Sequence, residues 1–265
     1  MNATERDPRV VLVTGAGRGI GAATTRRLAG RGERVIAVDW CVGTDTAVPY
    51  PMPRREELES LARPNQVLTL VADVRDREAL ARGVELALST WGRLDAAVAA
   101  AAVIAGGSPL WLTATADLEM LWQVDVLGVW NTAAVSVPAM LSGPDPAGCR
   151  FVALTSAAAS HGLYGLSAYN VVKHAVAGLV RGLSADLADS GPTAVAVSPG
   201  STRTAMLDAT ARLYDMPDLD GFAGRQRLGR LLSADEIAAV VDFCTTREAA
   251  SLNGSEVHAE GGFLP

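Results

Sequence analysis

Seven short apolar runs alternate with longer amphipathic stretches along this chain, and no other feature limits its fold so narrowly. The runs cover 10–14, 35–39, 67–72, 94–101, 150–155, 194–198 and 255–259. Several are apolar throughout, as strands covered on both faces are. Between them, 22–29, 77–90, 117–141, 168–188 and 234–245 carry helical patterns. Strand, helix, strand, repeated, specifies a parallel sheet with right-handed crossovers. The expectation is an α/β, Rossmann-type doubly wound fold: a seven-stranded parallel sheet with helices on both faces. No linker divides the chain, so 1–265 reads as a single domain.

Composition excludes several alternatives. The chain has 265 residues, 49% of them hydrophobic, which suits one large core and excludes a mostly disordered chain. Net charge is -6 and no basic block occurs, which argues against nucleic acid or an anionic membrane as partner. The segment 1–9 is polar and lacks a signal core. No apolar run reaches the ~20 residues of a membrane helix without a charge or breaker. Three scattered cysteines form neither a disulfide framework nor a metal motif, and the odd count fits a reducing cytoplasm.

The first strand runs into Gly15-Ala16-Gly17-Arg18-Gly19-Ile20-Gly21, and a helix follows at once. Glycines there allow close backbone approach, and a helix N-terminus presents free N–H groups to a pyrophosphate. The second strand ends at Asp39, where a carboxylate can accept from ribose hydroxyls and repel the extra phosphate of NADP. Arg18 pulls the other way, because it offers that phosphate a cation. Asp73 and Val74, after the third strand, are placed to bracket an adenine.

Of 23 basic residues only Lys173 is a lysine. Tyr169 precedes it by one helical turn, on the same face. A nearby ammonium stabilises a phenolate and lowers the tyrosine's proton affinity. Ser156 closes the fifth strand and can orient a substrate oxygen.

These residues in this order resemble the short-chain dehydrogenase/reductase family, and Pro199, Gly200, Thr202 and Thr204 add its Pro-Gly turn and nicotinamide-contacting threonine. The resemblance implies hydride transfer between NAD and an alcohol or carbonyl. Tyr169 would be the acid/base, Ser156 would bond the reacting oxygen, and Lys173 would tune Tyr169 and hold the nicotinamide ribose. Two departures stand out. The family's Asn-Asn-Ala-Gly turn is here Ala99-Ala100-Ala101-Ala102, with Ala100 beside the cofactor, which should alter backbone packing there. The family's helix asparagine, which helps hold a relay water, falls on Asp125; an ionised carboxylate accepts from that water but cannot donate.

A narrower resemblance rests on three segments. They are Ala99 through Gly107 with Pro109-Leu110-Trp111, the insertion Val48-Pro49-Tyr50-Pro51, and Gly143-Pro144-Asp145-Pro146 through Phe151. These are similar to the mycofactocin-coupled subgroup, which implies retained NAD reoxidised by mycofactocin as external acceptor. Family membership also implies a homotetramer built through the helices of 117–141 and 168–188. Met206, Leu207, Tyr214 and Phe222, with Trp111, Leu163 and Tyr164, favour a small hydrophobic alcohol or carbonyl as substrate. His161 suits either the pocket wall or a solvated loop. The rival readings are an ordinary dehydrogenase with exchangeable NAD and a catalytically silent NAD-sensing or scaffold protein. The intact Ser156, Tyr169 and Lys173 set argues against the second.

Overall fold

The computed structural model describes residues 7–264; the polar N-terminal segment read above lies, through residue 6, outside them. Among the described residues, seven strands form one parallel sheet in the order β3-β2-β1-β4-β5-β6-β7. They are β1 (Val10–Thr14), β2 (Arg34–Asp39), β3 (Val67–Val71), β4 (Ala96–Ala99), β5 (Arg150–Leu154), β6 (Thr193–Pro199) and β7 (Glu256–Ala259). Each expected run yields its strand. The one over 94–101 is trimmed at both ends, because the chain turns away after Ala99.

Alternate strand residues face opposite layers, as the pleat requires. Leu12, Ile36, Val38 and Phe151 enter one core, while Val11, Val13, Val35 and Val152 enter the other. The first layer is covered by α3 (Arg77–Trp91), α5 (Leu127–Leu141) and α6 (Ser167–Asp186). The second is covered by α1 (Gly19–Gly30) and α9 (Ala234–Cys244). Two short helices remain on the connections, α2 (Arg55–Glu59) after β2 and α4 (Thr115–Leu121) after β4. After β6 come α7 (Ala205–Leu213) and α8 (Asp220–Ala223), which cap the carboxyl edge.

The single helix expected over 117–141 is divided. Between α4 and α5 lies a π-helical turn, Trp122–Val126. Such widened turns insert an extra residue and re-aim side chains, often at functional sites. By length and composition Thr115–Leu141 could cross a membrane, yet 56% of its apolar window is buried in this fold. It is a core wall that carries a buried ionisable residue at its middle. Val176 and Val180 of α6 are likewise buried, whereas Trp130 of α5 is 59% exposed. All three cysteines are free.

The strand order reverses between β1 and β4. In open α/β sheets the ligand crevice lies beyond the carboxyl ends of the strands at such a switch point.

Candidate active site

A cavity of about 680 Å³ opens at that switch point. Its wall includes Gly15, Arg18, Gly19, Ile20, Gly21, Asp39, Asp73, Val74 and Ala100 at one end. Ser156, Tyr169, Lys173, Pro199, Gly200, Thr202 and Thr204 wall the other. Two residues expected at the site, Gly17 and Asp125, do not wall it.

The glycine loop is shaped by contact. Gly15 adopts φ +67°, and a Cβ there would sit 2.6 Å from the Ala101 nitrogen. The turn after β4 therefore rests directly on the loop after β1, with the Ala100 N–H donating to Thr14 Oγ1 at 3.3 Å. The apolar turn has kept close backbone packing. Gly17 faces Asp39 and Pro53, where a Cβ would meet the proline at 2.8 Å. Its N–H donates to the Asp39 carboxylate at 2.9 Å, so it positions that acid instead of facing the cavity.

Arg18 caps α1 without a side-chain hydrogen bond to the helix, which leaves the first-turn N–H groups free at the cavity wall. This donor set, beside Asp39, fits a dinucleotide: amides for the pyrophosphate and a carboxylate for the ribose. Asp39 also accepts from the Trp40 N–H at 2.7 Å. Burial pushes its carboxyl above the ordinary range, and those amides oppose the shift. Arg18 is engaged with the insertion after β2. Its guanidinium donates to the Pro51 carbonyl at 2.5 Å and lies 5.5 Å from the Tyr50 ring centre. Asp73 is held by Arg75, whose guanidinium covers the Trp40 ring at 4.4 Å.

The insertion after β2 folds back over this end. Trp40, Met52 and Pro53 wall the cavity. Tyr50 is buried, and its hydroxyl accepts from the Ile104 N–H at 3.1 Å. Sequence reasoning saw a covering loop; the hydroxyl-to-backbone anchor has no periodicity or motif to announce it.

At the reacting end, Tyr169 and Lys173 stand one turn apart on α6, both buried. Ser156 begins the turn after β5; its Oγ accepts from the Ala158 N–H at 3.2 Å and acts to lower the Tyr169 phenol. Lys173 Nζ lies 3.4 Å from the Leu154 carbonyl and 5.4 Å from the Tyr169 ring centre. Asp125 stands on the far side of Lys173 from the cavity wall. Its Oδ2 lies 3.0 Å from Lys173 Nζ, with side-chain exposures of 0% and 2%. Its Oδ1 accepts from the Val103 N–H at 2.9 Å. The contact with Lys173 is a fully buried charge pair.

Lys173 acts on Tyr169 in the expected direction but does not set the net result. Burial pushes the phenol up most strongly; Lys173 and the Ser156 hydrogen bond pull it down, but Asp125 adds to the rise, and the net direction is up. For Lys173, burial acts to lower the ammonium. The Asp125 charge and Tyr169 outweigh it and hold the ammonium above its usual value.

The remaining wall is apolar. Leu163, Tyr164, Met206, Leu207, Tyr214 and Phe222 reach the cavity as expected, joined by Ile104, Met216 and Phe263. Asn170 of α6 clamps the Leu163 backbone through both N–H and C=O, and Tyr214 donates to the Tyr164 carbonyl at 2.6 Å. Trp111 does not contribute: it sits on an exposed turn, 80% accessible. His161 packs on Phe263, 5.6 Å between ring centres, behind the wall. Phe263 and Met216 come from segments distant in sequence, so only the fold brings them in.

Residues 15–264 match a family model described as Enoyl-(Acyl carrier protein) reductase. The chain is 35% identical over 222 residues to a (-)-trans-carveol dehydrogenase of Rhodococcus erythropolis, covering 80% of this chain and 78% of the relative. It is 30% identical over 267 residues to an uncharacterised NAD-dependent oxidoreductase of Mycobacterium tuberculosis, covering 97% and 96%. Among solved structures, carveol dehydrogenase from Mycobacterium avium in complex with NAD superposes with a TM-score of 0.88 at 29% identity, over 98% of this chain and 99% of that one. Fold, site geometry and these matches agree: the chain belongs to the short-chain dehydrogenase/reductase family of NAD-dependent oxidoreductases.

Proposed function

We propose that this oxidoreductase interconverts a small hydrophobic alcohol, of terpenoid or aliphatic type, and its carbonyl on an NAD that it retains, with mycofactocin as the external acceptor. The observation that carries the reading is one cavity with two chemistries. Asp39 and the free N–H groups of α1 stand at one end, and Ser156, Tyr169 and Lys173 stand at the other against apolar walls. The terpenoid class draws on the two relatives named for carveol.

When bound, NAD supplies the ring carbon that accepts a hydride and, in its oxidised form, a positive charge. The α1 amides would hold the pyrophosphate, with Gly15, Gly19, Ile20 and Gly21 forming the turn. Asp39 would accept from the adenosine ribose, and Asp73, Val74 and Ala100 would line the adenine end. Pro199, Gly200, Thr202 and Thr204 would line the nicotinamide end. Ser156 would hold the alcohol oxygen. Tyr169, as phenolate, would take the hydroxyl proton as the alcohol carbon gives up its hydride and becomes a carbonyl. Lys173 would keep a proton-bearing nitrogen near Tyr169.

Retention is supported by the insertion, which Tyr50 and Arg18 pin at its inner side. Slow opening of such a cover shows in dissociation rates. A homotetramer is supported by exposed Trp122, Trp130 and Val171 on the outer faces of the π-helical turn, α5 and α6. The test of the catalytic reading is to purify the protein without added nucleotide, denature it and quantify released NAD, then assay carveol and aliphatic alcohols with an artificial acceptor and with added NAD alone. Released NAD and turnover only with the acceptor are expected. Cofactor-free protein that turns over on added NAD would mean ordinary exchange; no turnover with any alcohol would refute the dehydrogenase reading.

A further inference from the structure

The core holds a buried carboxylate that the hydride-transfer reading does not require. Asp125 is fully enclosed, and the π-helical turn aims it at Lys173. A free ammonium beside Tyr169 would favour the phenolate. Here that ammonium faces a carboxylate at 3.0 Å.

We infer that Asp125 is the fixed counter-charge of Lys173, so that Tyr169 surrenders its proton only when the positive ring of oxidised nicotinamide lies beside it. The inference rests on the dehydrogenase reading for its purpose, not for its test. Burial raises the Asp125 carboxyl and Lys173 opposes that rise; with this pair ionised and Tyr169 protonated, the buried group of Tyr169, Lys173 and Asp125 is neutral. Losing the phenol proton leaves a net negative charge out of contact with water, which low-dielectric surroundings penalise. Oxidised nicotinamide restores neutrality; reduced nicotinamide does not. The base therefore exists only where there is a cofactor ready to accept hydride, and the acid is kept wherever the cofactor is reduced.

The other groups around Tyr169 do not replace that charge. Ser156 donates a neutral hydrogen bond. Tyr50, from the insertion, is itself pushed upward by burial and by Asp125, with Arg18 acting on it from the outer side. The backbone N–H of Val103 completes the Asp125 environment. The direction of the Tyr169 proton affinity, upward despite Lys173, agrees with this arrangement. Asp125 is thus a positioning residue that acts on Tyr169 directly and by offsetting Lys173; without Lys173, burial drives its carboxyl towards the neutral form, and its influence on Tyr169 goes with the charge.

The experiment needs no substrate. Tyrosinate absorbance of the cofactor-free protein is titrated with pH, and the contribution of Tyr169 is the difference from Tyr169→Phe. The wild-type midpoint for Tyr169 is expected at or above the ordinary tyrosine value of about 10. A midpoint clearly below it would overturn the inference without any change at Asp125. In Asp125→Asn, which preserves shape and an acceptor for Val103, the midpoint is expected to fall by about one pH unit or more. In Lys173→Met the same Asn substitution is expected to leave the midpoint nearly unchanged. An unmoved midpoint in folded Asp125→Asn, or an equal fall without Lys173, would overturn it. If an alcohol is turned over, the alkaline rise of kcat moves down in parallel; if none is, the titration still decides.

Discussion

In the proposed reaction Tyr169 and Lys173 divide one task, and substitution separates their parts. Tyr169→Phe removes the hydroxyl assigned to exchange the substrate proton and should lower kcat on the order of 10²-fold or more. Lys173→Arg keeps charge but replaces a compact ammonium with a planar fork inside a cage of Asp125, Leu154 and Tyr169. A loss of similar size is expected in steady-state turnover, and a near-normal Arg variant would remove the reason for the chain's sole lysine. Asp39 bears on cofactor choice. Asp39→Ala should narrow the preference for NAD over NADP, read as the ratio of their dissociation constants. Asp39 also carries a stability signature. Its folded proton affinity is raised by burial, so its ionised form is disfavoured in the fold. Stability linked to this group is fully present below the unfolded value of 3.8 and is lost as pH rises through the higher folded value. The Tm of cofactor-free protein should therefore fall more steeply with rising pH through that window in the wild type than in Asp39→Ala.

At the scale of elements, the insertion after β2 and the π-helical turn before α5 meet on one short segment. Val103 donates to Asp125 and its neighbour Ile104 donates to Tyr50. Tyr50→Phe leaves the Ile104 N–H buried without its acceptor, which costs roughly 1–3 kcal/mol. Denaturant unfolding should show that loss, and release of bound NAD should quicken; wild-type values for both would mean that the insertion is held by its prolines and packing alone. The two elements also mark where sequence reading runs out. Strands and the Tyr169–Lys173 turn follow from periodicity and spacing, which are local, and so were legible. The Asp125–Lys173 pair was not legible, because spacing along a regular helix says nothing of the π-helical turn that brings the two side chains together. Trp111 read as pocket wall because a loop residue's direction depends on where the chain goes next. Phe263 was invisible for the opposite reason: its place is set by the last crossover, not by neighbours in sequence.

For the whole molecule, the sheet order places loops from β1, β4, β5 and β6 around one crevice, and every strand contributes register more than chemistry. The outer faces of α5 and α6, with Trp130 and Val171 uncovered, are expected to meet copies of themselves. Light scattering at micromolar concentration should give four chains of 27.5 kDa each, and a monomeric mass would refute the assembly. The adjoining amides of Val103 and Ile104 have one more consequence, which concerns inheritance and engineering. The loop over the cofactor and the carboxylate beside the lysine are fastened to successive rungs of the same backbone. Grafting the insertion onto a relative with an apolar residue in place of Asp125 would transplant half a joint: the loop would arrive without the brace that holds its landing place. A chimera should become functional only when Tyr50 and Asp125 travel together, so these two positions, 75 residues apart in the chain, behave as a single heritable unit.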